Sequence, residues 1–171
     1  MIPAVRGTAM TALAVAKKLT ALSGNQPLPP ERLHPALYLC QGWFLAWYGR
    51  PLFDEPILAA EDGPRVPSVD GQDPSAAPDL PKAGRESVKQ VWDHFGSYSA
   101  ERLAETVRES SPWKSRRGTD EPIPTDEMLA HFGADFERQT GEERGVMGQY
   151  ERDLAAGNFV RLEDILREDA A

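Results

Sequence analysis

Residues 33–48 set the tightest limit on what this chain can fold into. They read Leu-His-Pro-Ala-Leu-Tyr-Leu-Cys-Gln-Gly-Trp-Phe-Leu-Ala-Trp-Tyr. Apolar side chains fall on nearly every face of a helix built from this run, so the rest of the protein must surround it. It falls short of the ~20 apolar residues that a membrane-spanning helix needs. Pro35 is expected in the first turn, where a missing N–H costs nothing. Gly49 ends the helix and Pro51 prevents its resumption.

The flanking pattern is mostly helical. Thr11 is placed to cap a helix with Leu13, Ala16 and Leu19 on one face, closed by Ser23-Gly24-Asn25. Leu52-Phe53 and Ile57-Leu58-Ala59 flank Asp54-Glu55-Pro56, which reads as a small β-hairpin. Residues 63–84 carry five prolines, at 64, 67, 74, 78 and 81, and read as a long loop. Val88, Val91, Trp92 and Phe95 recur at i, i+3, i+4, i+7, a helical stripe. Ser99 caps a helix with Leu103 and Val107 inward, Ser111-Pro112-Trp113 opens another turn, and Thr125 caps a helix bearing Met128, Leu129, Phe132 and Phe136. Two short helices are expected at 146–154 and 162–166. The fold class is therefore mainly α in the α+β sense: a compact helical domain around a central apolar helix, with a small β-hairpin and a short C-terminal helical tail. Residues 1–9 form a leader, 10–138 the helical domain and 139–171 a charged C-terminal helical extension.

Bulk properties narrow the function classes. With 171 residues, 40% hydrophobic and 27% charged, the chain matches a one-core globular protein. Its net charge of −8 repels phosphate and makes nucleic acid an unlikely partner. It suits solubility or a basic partner. A single cysteine, Cys40, implies no oxidising compartment. Lys17 and Lys18 lie at the far end of the first apolar segment, the reverse of a secretory signal. A cytoplasmic protein with no membrane segment is expected.

The search for chemistry finds little. His34, His94 and His131 lack a second His, Cys or paired carboxylate at metal-binding spacing, which favours capping or surface roles. Cys40 sits in an apolar run, where burial suppresses thiolate formation. Asp54, Glu55, Glu61 and Asp62 read as turn acids in solvent. No enzyme, metal or cofactor is expected. Binding residues are easier to nominate, because Trp, Tyr and Arg dominate interaction hot spots. Trp43, Trp47 and Tyr48 form a core wall that can leave one edge exposed. Trp113, Lys114 and Arg116 join a ring to a basic turn, which reads equally well as a buried Trp beside solvated cations.

Taken in order, several blocks resemble the Panacea domain of bacterial and prophage antitoxins. They are Met10-Thr-Ala-Leu-Ala-Val-Ala-Lys-Lys-Leu19, Leu37-Tyr-Leu-Cys-Gln-Gly-Trp-Phe-Leu-Ala46, Tyr48-Gly-Arg-Pro-Leu-Phe-Asp-Glu-Pro-Ile57 and Gly63-Pro64-Arg65-Val66-Pro67. Val91-Trp92 to Phe95-Gly96, Ser99-Ala100-Glu101-Arg102-Leu103 and Pro112-Trp113 follow. The resemblance covers about residues 10–135. It implies an antitoxin that neutralises a cognate protein toxin by direct contact, with Arg65 joining the partner-binding set. Its alternative is a proteolytic adaptor that delivers the toxin to a cytoplasmic protease, and a metal- or thiol-dependent enzyme ranks below both. The sequence departs from the family at Pro35, at Thr106-Val107-Arg108-Glu109 and across residues 70–84.

Overall fold

A computed structural model describes residues 10–140. The expected leader at 1–9 and the expected short helices at 146–154 and 162–166 lie outside the described residues. The order is α1 (Ala12–Leu22), α2 (Pro30–Tyr48), β1 (Leu58–Ala60), β2 (Gly63–Arg65), α3 (Lys82–Phe95), α4 (Ala100–Arg108), α5 (Ser111–Lys114) and α6 (Thr125–Thr140), with single 3₁₀ turns at Pro67–Val69 and Pro74–Ala76. The fold is mainly helical with one small antiparallel hairpin, as the sequence pattern predicts.

Helix α2 is the axis. Every residue from 35 to 45 is buried, and α1, α3, α4 and α6 all pack on it. The two ends of α2 are set by different chemistry. Pro30 occupies the first helical position, so the helix begins earlier than the apolar run suggests. Pro35 consequently lies inside the helix rather than in its first turn, and the Glu31 carbonyl forgoes its i→i+4 partner. At the other end Gly49 adopts the left-handed conformation, φ 74°, and its N–H bonds the Leu45 carbonyl at 2.8 Å.

Local signals place most other boundaries. The Thr11 hydroxyl accepts from the Ala14 N–H at 3.1 Å, and the Ser99 hydroxyl accepts from Arg102 N–H at 3.1 Å. The Glu55 carboxylate adds a second acceptor to the start of α1, 3.1 Å from Ala12 N. Thr125 is the first residue of α6 rather than its cap. The Pro124 carbonyl takes the Met128 N–H instead, at 3.1 Å.

The hairpin exists but is shifted along the chain. Its strands pair Leu58 with Arg65, Ala59 with Pro64 and Ala60 with Gly63, so the turn falls at Glu61-Asp62 and not at residues 54–56. Leu52 and Phe53 are removed from strand pairing by a side chain. Buried Gln41 accepts from both of their N–H groups, at 2.8 and 3.2 Å, and its amide donates to the Phe53 carbonyl at 2.8 Å. The far edge of β1 is closed by residues 118–123. Ala59 N–H bonds Glu121 O at 2.9 Å, Ile123 N–H bonds Ile57 O at 2.7 Å, and Gly118 and Asp120 both donate to Ala59 O.

The proline-rich stretch is ordered by contacts rather than by regular structure. Its two 3₁₀ turns lie against α1, with Val69, Ala77 and Leu80 buried. Lys17 ties it down by donating to the Ala77 carbonyl at 2.9 Å. Its last residues already belong to α3, which starts at Lys82.

Candidate partner-binding cleft

A large open concavity lies where the N-terminal part of α2, the hairpin and α4 meet. It encloses about 590 Å³. Pro35, Ala60, Pro64, Ala104 and Val107 contribute its apolar surface, and Glu31, Glu61, Asp62 and Glu101 bring negative charge to its rim. Each of these four acids is exposed. Two arginines also border it, and both are committed to the hairpin region. Arg108 Nε donates to the Asp62 carbonyl at 3.0 Å, and Arg65 Nη2 bonds Asp70 at 2.7 Å. The cleft therefore presents small apolar surface within a predominantly acidic frame.

His34 holds one wall. Its Nδ1 accepts from the Val66 N–H at 3.0 Å, and its Nε2 lies 3.2 Å from Asp70 Oδ1. Only the neutral tautomer with a proton on Nε2 serves both partners. Burial lowers the imidazole pKa below its ordinary 6.5; Asp70 pulls upward and Arg65 adds to the lowering. The Arg65 hydrogen bond holds Asp70 below the usual carboxylate range. A ring expected to be a cap or surface residue thus links α2 to the hairpin and to the loop after it. His34, Asp70 and Arg108 were not nominated from sequence, because their roles depend on partners between 5 and 46 positions away.

The nominated binding residues divide among three places. Arg65 borders the cleft, half exposed. Trp43 and Trp47 pack together on the other end of α2, ring centroids 6.0 Å apart, and border a separate groove against α3 and α6. Tyr48 leans on Phe44 at 4.6 Å. The expectation that Trp113 offers its ring to a partner does not hold: the residue is 2% exposed, and its Nε1 donates to the Ala60 carbonyl at 2.9 Å. Trp113 anchors the hairpin from inside. Beside it Lys114 is exposed, while Arg116 makes a two-pronged pair with Glu127.

Groups capable of chemistry stay apart. His94 stacks edge-on with Phe95, and His131 sits on α6 with Asp135. Among the described residues no cluster of three or more His, Cys, Asp or Glu side chains is positioned to hold a metal ion. Cys40 is fully enclosed and burial pushes its thiol pKa far up, so it is a core residue. Among the described residues no helix is long and apolar enough to cross a membrane. No protein-family model matches the chain, and no curated protein and no solved structure matches it.

Proposed function

We propose that this chain is a cytoplasmic antitoxin of the Panacea type, which neutralises a cognate protein toxin by direct contact at the hairpin cleft. One observation carries the reading: blocks that are far apart in sequence and that bear the resemblance line one cleft. Gly63, Pro64 and Arg65 come from the Gly-Pro-Arg-Val-Pro element, and Ala100 and Glu101 from the Ser-Ala-Glu-Arg-Leu block. Pro35, Val107 and Arg108, where the sequence departs from the family, also line it. That departure gives the cleft a character of its own and so suits a particular toxin. The acidic rim favours a toxin with a basic segment, since complementary potentials steer and select partners.

The test is co-expression. Each neighbouring gene is expressed alone and together with this one, and growth is measured. The expected outcome is that one neighbour is toxic alone and harmless in combination. The Glu31→Lys/Glu101→Lys variant, altered on the exposed rim, is expected to weaken toxin binding about tenfold or more, equivalent to ~1.4 kcal/mol, with a small drop in melting temperature because both acids lie in the first turns of their helices. The reading fails if neither neighbour is toxic, or if toxicity is indifferent to this protein.

A further inference from the structure

The hairpin cleft also limits the shape of the partner that can enter it. A free sheet edge beside a cleft invites an incoming strand, which pairs its backbone with that edge. The edge in question here is β2. Ala59 sends its N–H to Glu121 and receives Gly118 and Asp120 on its carbonyl, all on the side away from β2. Hydrogen-bonding direction alternates along an antiparallel pair. Pro64, the partner of Ala59, therefore turns its backbone away from β1 and toward the open side, and Val66 turns the same way.

Three groups close that edge. Pro64 has no N–H to give. The Val66 N–H is accepted by His34 Nδ1 at 3.0 Å. The Asp62 carbonyl is taken by Arg108 Nε at 3.0 Å. An extended segment laid here would bury N–H and C=O groups that find no backbone partners, which is costly. A helix satisfies its own backbone and needs only side-chain contacts. The other walls suit one. Helix α4 presents Ala100, Ala104 and Val107 to the cleft, at i, i+4 and i+7, and α2 contributes Pro35. Small side chains at a contact let two helix axes come close. The rim sets the charge. Glu61 pairs with Arg117 at 3.3 Å, whereas Glu31, Asp62 and Glu101 make no ion pair among the described residues.

We propose that the occupant of the cleft is an amphipathic α-helix of a partner protein, with one apolar stripe flanked by Lys or Arg, and that strand addition at β2 is excluded by Pro64, His34 and Arg108. The stripe rests on Ala100, Ala104 and Val107, and the flanking cations meet Glu31, Asp62 and Glu101. This inference rests on the cleft being the binding surface, and it holds whether or not the partner is a toxin.

The test titrates two fluorescein-labelled peptides of identical Leu, Ala and Lys composition into the full chain and follows anisotropy. One peptide repeats its apolar residues at i, i+3, i+4 and i+7, the other at every second position. The helical-period peptide is expected to bind at least about tenfold more tightly. Glu31→Lys/Glu101→Lys is expected to remove that advantage. Glu86→Lys/Glu137→Lys, the same charge change on exposed acids outside the cleft, is expected to keep it. Equal or tighter binding of the alternating peptide, or no binding of either, would overturn the inference. Equal weakening by the two double variants would overturn it too, by making the attraction one of net charge. The antitoxin reading fails separately, on growth in co-expression. Growth rescue that depends on Glu31 and Glu101, without any preference between the peptides, would remove the helix and leave the antitoxin.

Discussion

The ring of Phe132 fills the space that a side chain on Gly42 would need. A Cβ at position 42 would lie 2.2 Å from Phe132 Cε2. The contact lies where α6 packs on the central helix, and the ring also meets Tyr38 and Trp43 edge-on at 5.6 Å each. Alanine raises helix propensity over glycine by about 1 kcal/mol, but here overpacking wins. Gly42→Ala is expected to lower stability by about 1–3 kcal/mol in urea unfolding. Phe132→Ala is expected to cost about 3–5 kcal/mol. The double variant is expected to cost less than the two losses added, because removing the ring makes room for the methyl. Additive losses would show that the contact is not the cause.

Gln41 is 2% exposed and makes three hydrogen bonds to the backbone of Leu52 and Phe53. Gln41→Leu keeps much of the volume and strands those backbone groups without partners, at about 1–3 kcal/mol for each that stays buried and unpaired. A loss of at least about 2 kcal/mol is expected. Hydrogen exchange supplies the local readout: the Leu52 and Phe53 amides lose protection first. Protection unchanged at both would argue against this role.

The pH response follows from His34. Its folded-state pKa lies below the ordinary 6.5, so between the two values the unfolded chain binds more protons than the folded one. Stability is then complete above about pH 6.5 and falls as pH drops toward the folded pKa. His131 is lowered too, by burial and then by Arg138, and acts in the same direction. Unfolding free energies at pH 7.5, 6.5 and 5.5 are expected to decline in that order. His34→Gln is expected to flatten the decline, and His131→Gln to flatten it independently. A wild-type curve that is flat over this range would contradict the assignment.

Cys40 gives a simple probe of enclosure. Burial pushes its thiol pKa far above the ordinary value, and only the thiolate attacks disulfide reagents. The native protein is expected to be inert to such a reagent at pH 8 and to titrate one thiol on denaturation. Rapid native labelling would mean that α2 opens.

Trp113→Phe keeps a ring in the core and removes the bond to the Ala60 carbonyl. About 1–2 kcal/mol of stability is expected to go with it. Exchange at the β1 and β2 amides is expected to quicken more than exchange in α3.

What the sequence revealed was what local chemistry decides. Thr11 and Ser99 cap helices because their hydroxyls reach N–H groups three residues on, and Gly49 ends α2 because it adopts φ 74° freely. The apolar run at 33–48 showed the central helix because burial on every face has few other solutions. The misplaced hairpin shows the limit. Leu52 and Phe53 have strand-forming character, but Gln41 takes their backbone groups, and nothing in residues 52–59 announces that. The true turn at Glu61-Asp62 is followed by Gly63 at φ 150°, a signal hidden inside the Gly-Pro pair. The cleft was less legible than the fold. Arg65 was nominated, but His34, Asp70, Glu101 and Arg108 come together only in three dimensions. Trp113 reads the same in sequence whether its ring faces a partner or, as it does, the hairpin.

The closure of β1 by residues 118–123 has a consequence for how the protein is made. A hairpin with a two-residue turn pairs on the microsecond scale once both strands exist. The other edge of β1 waits for a segment encoded about sixty residues later, several seconds of elongation at ribosomal speed. Through that interval the emerging chain carries an unpaired strand edge, the surface on which aggregation starts. Glu61 and Asp62, charged residues at the tip of that hairpin, stand beside the exposed edge during synthesis and guard it until the chain supplies its own cover.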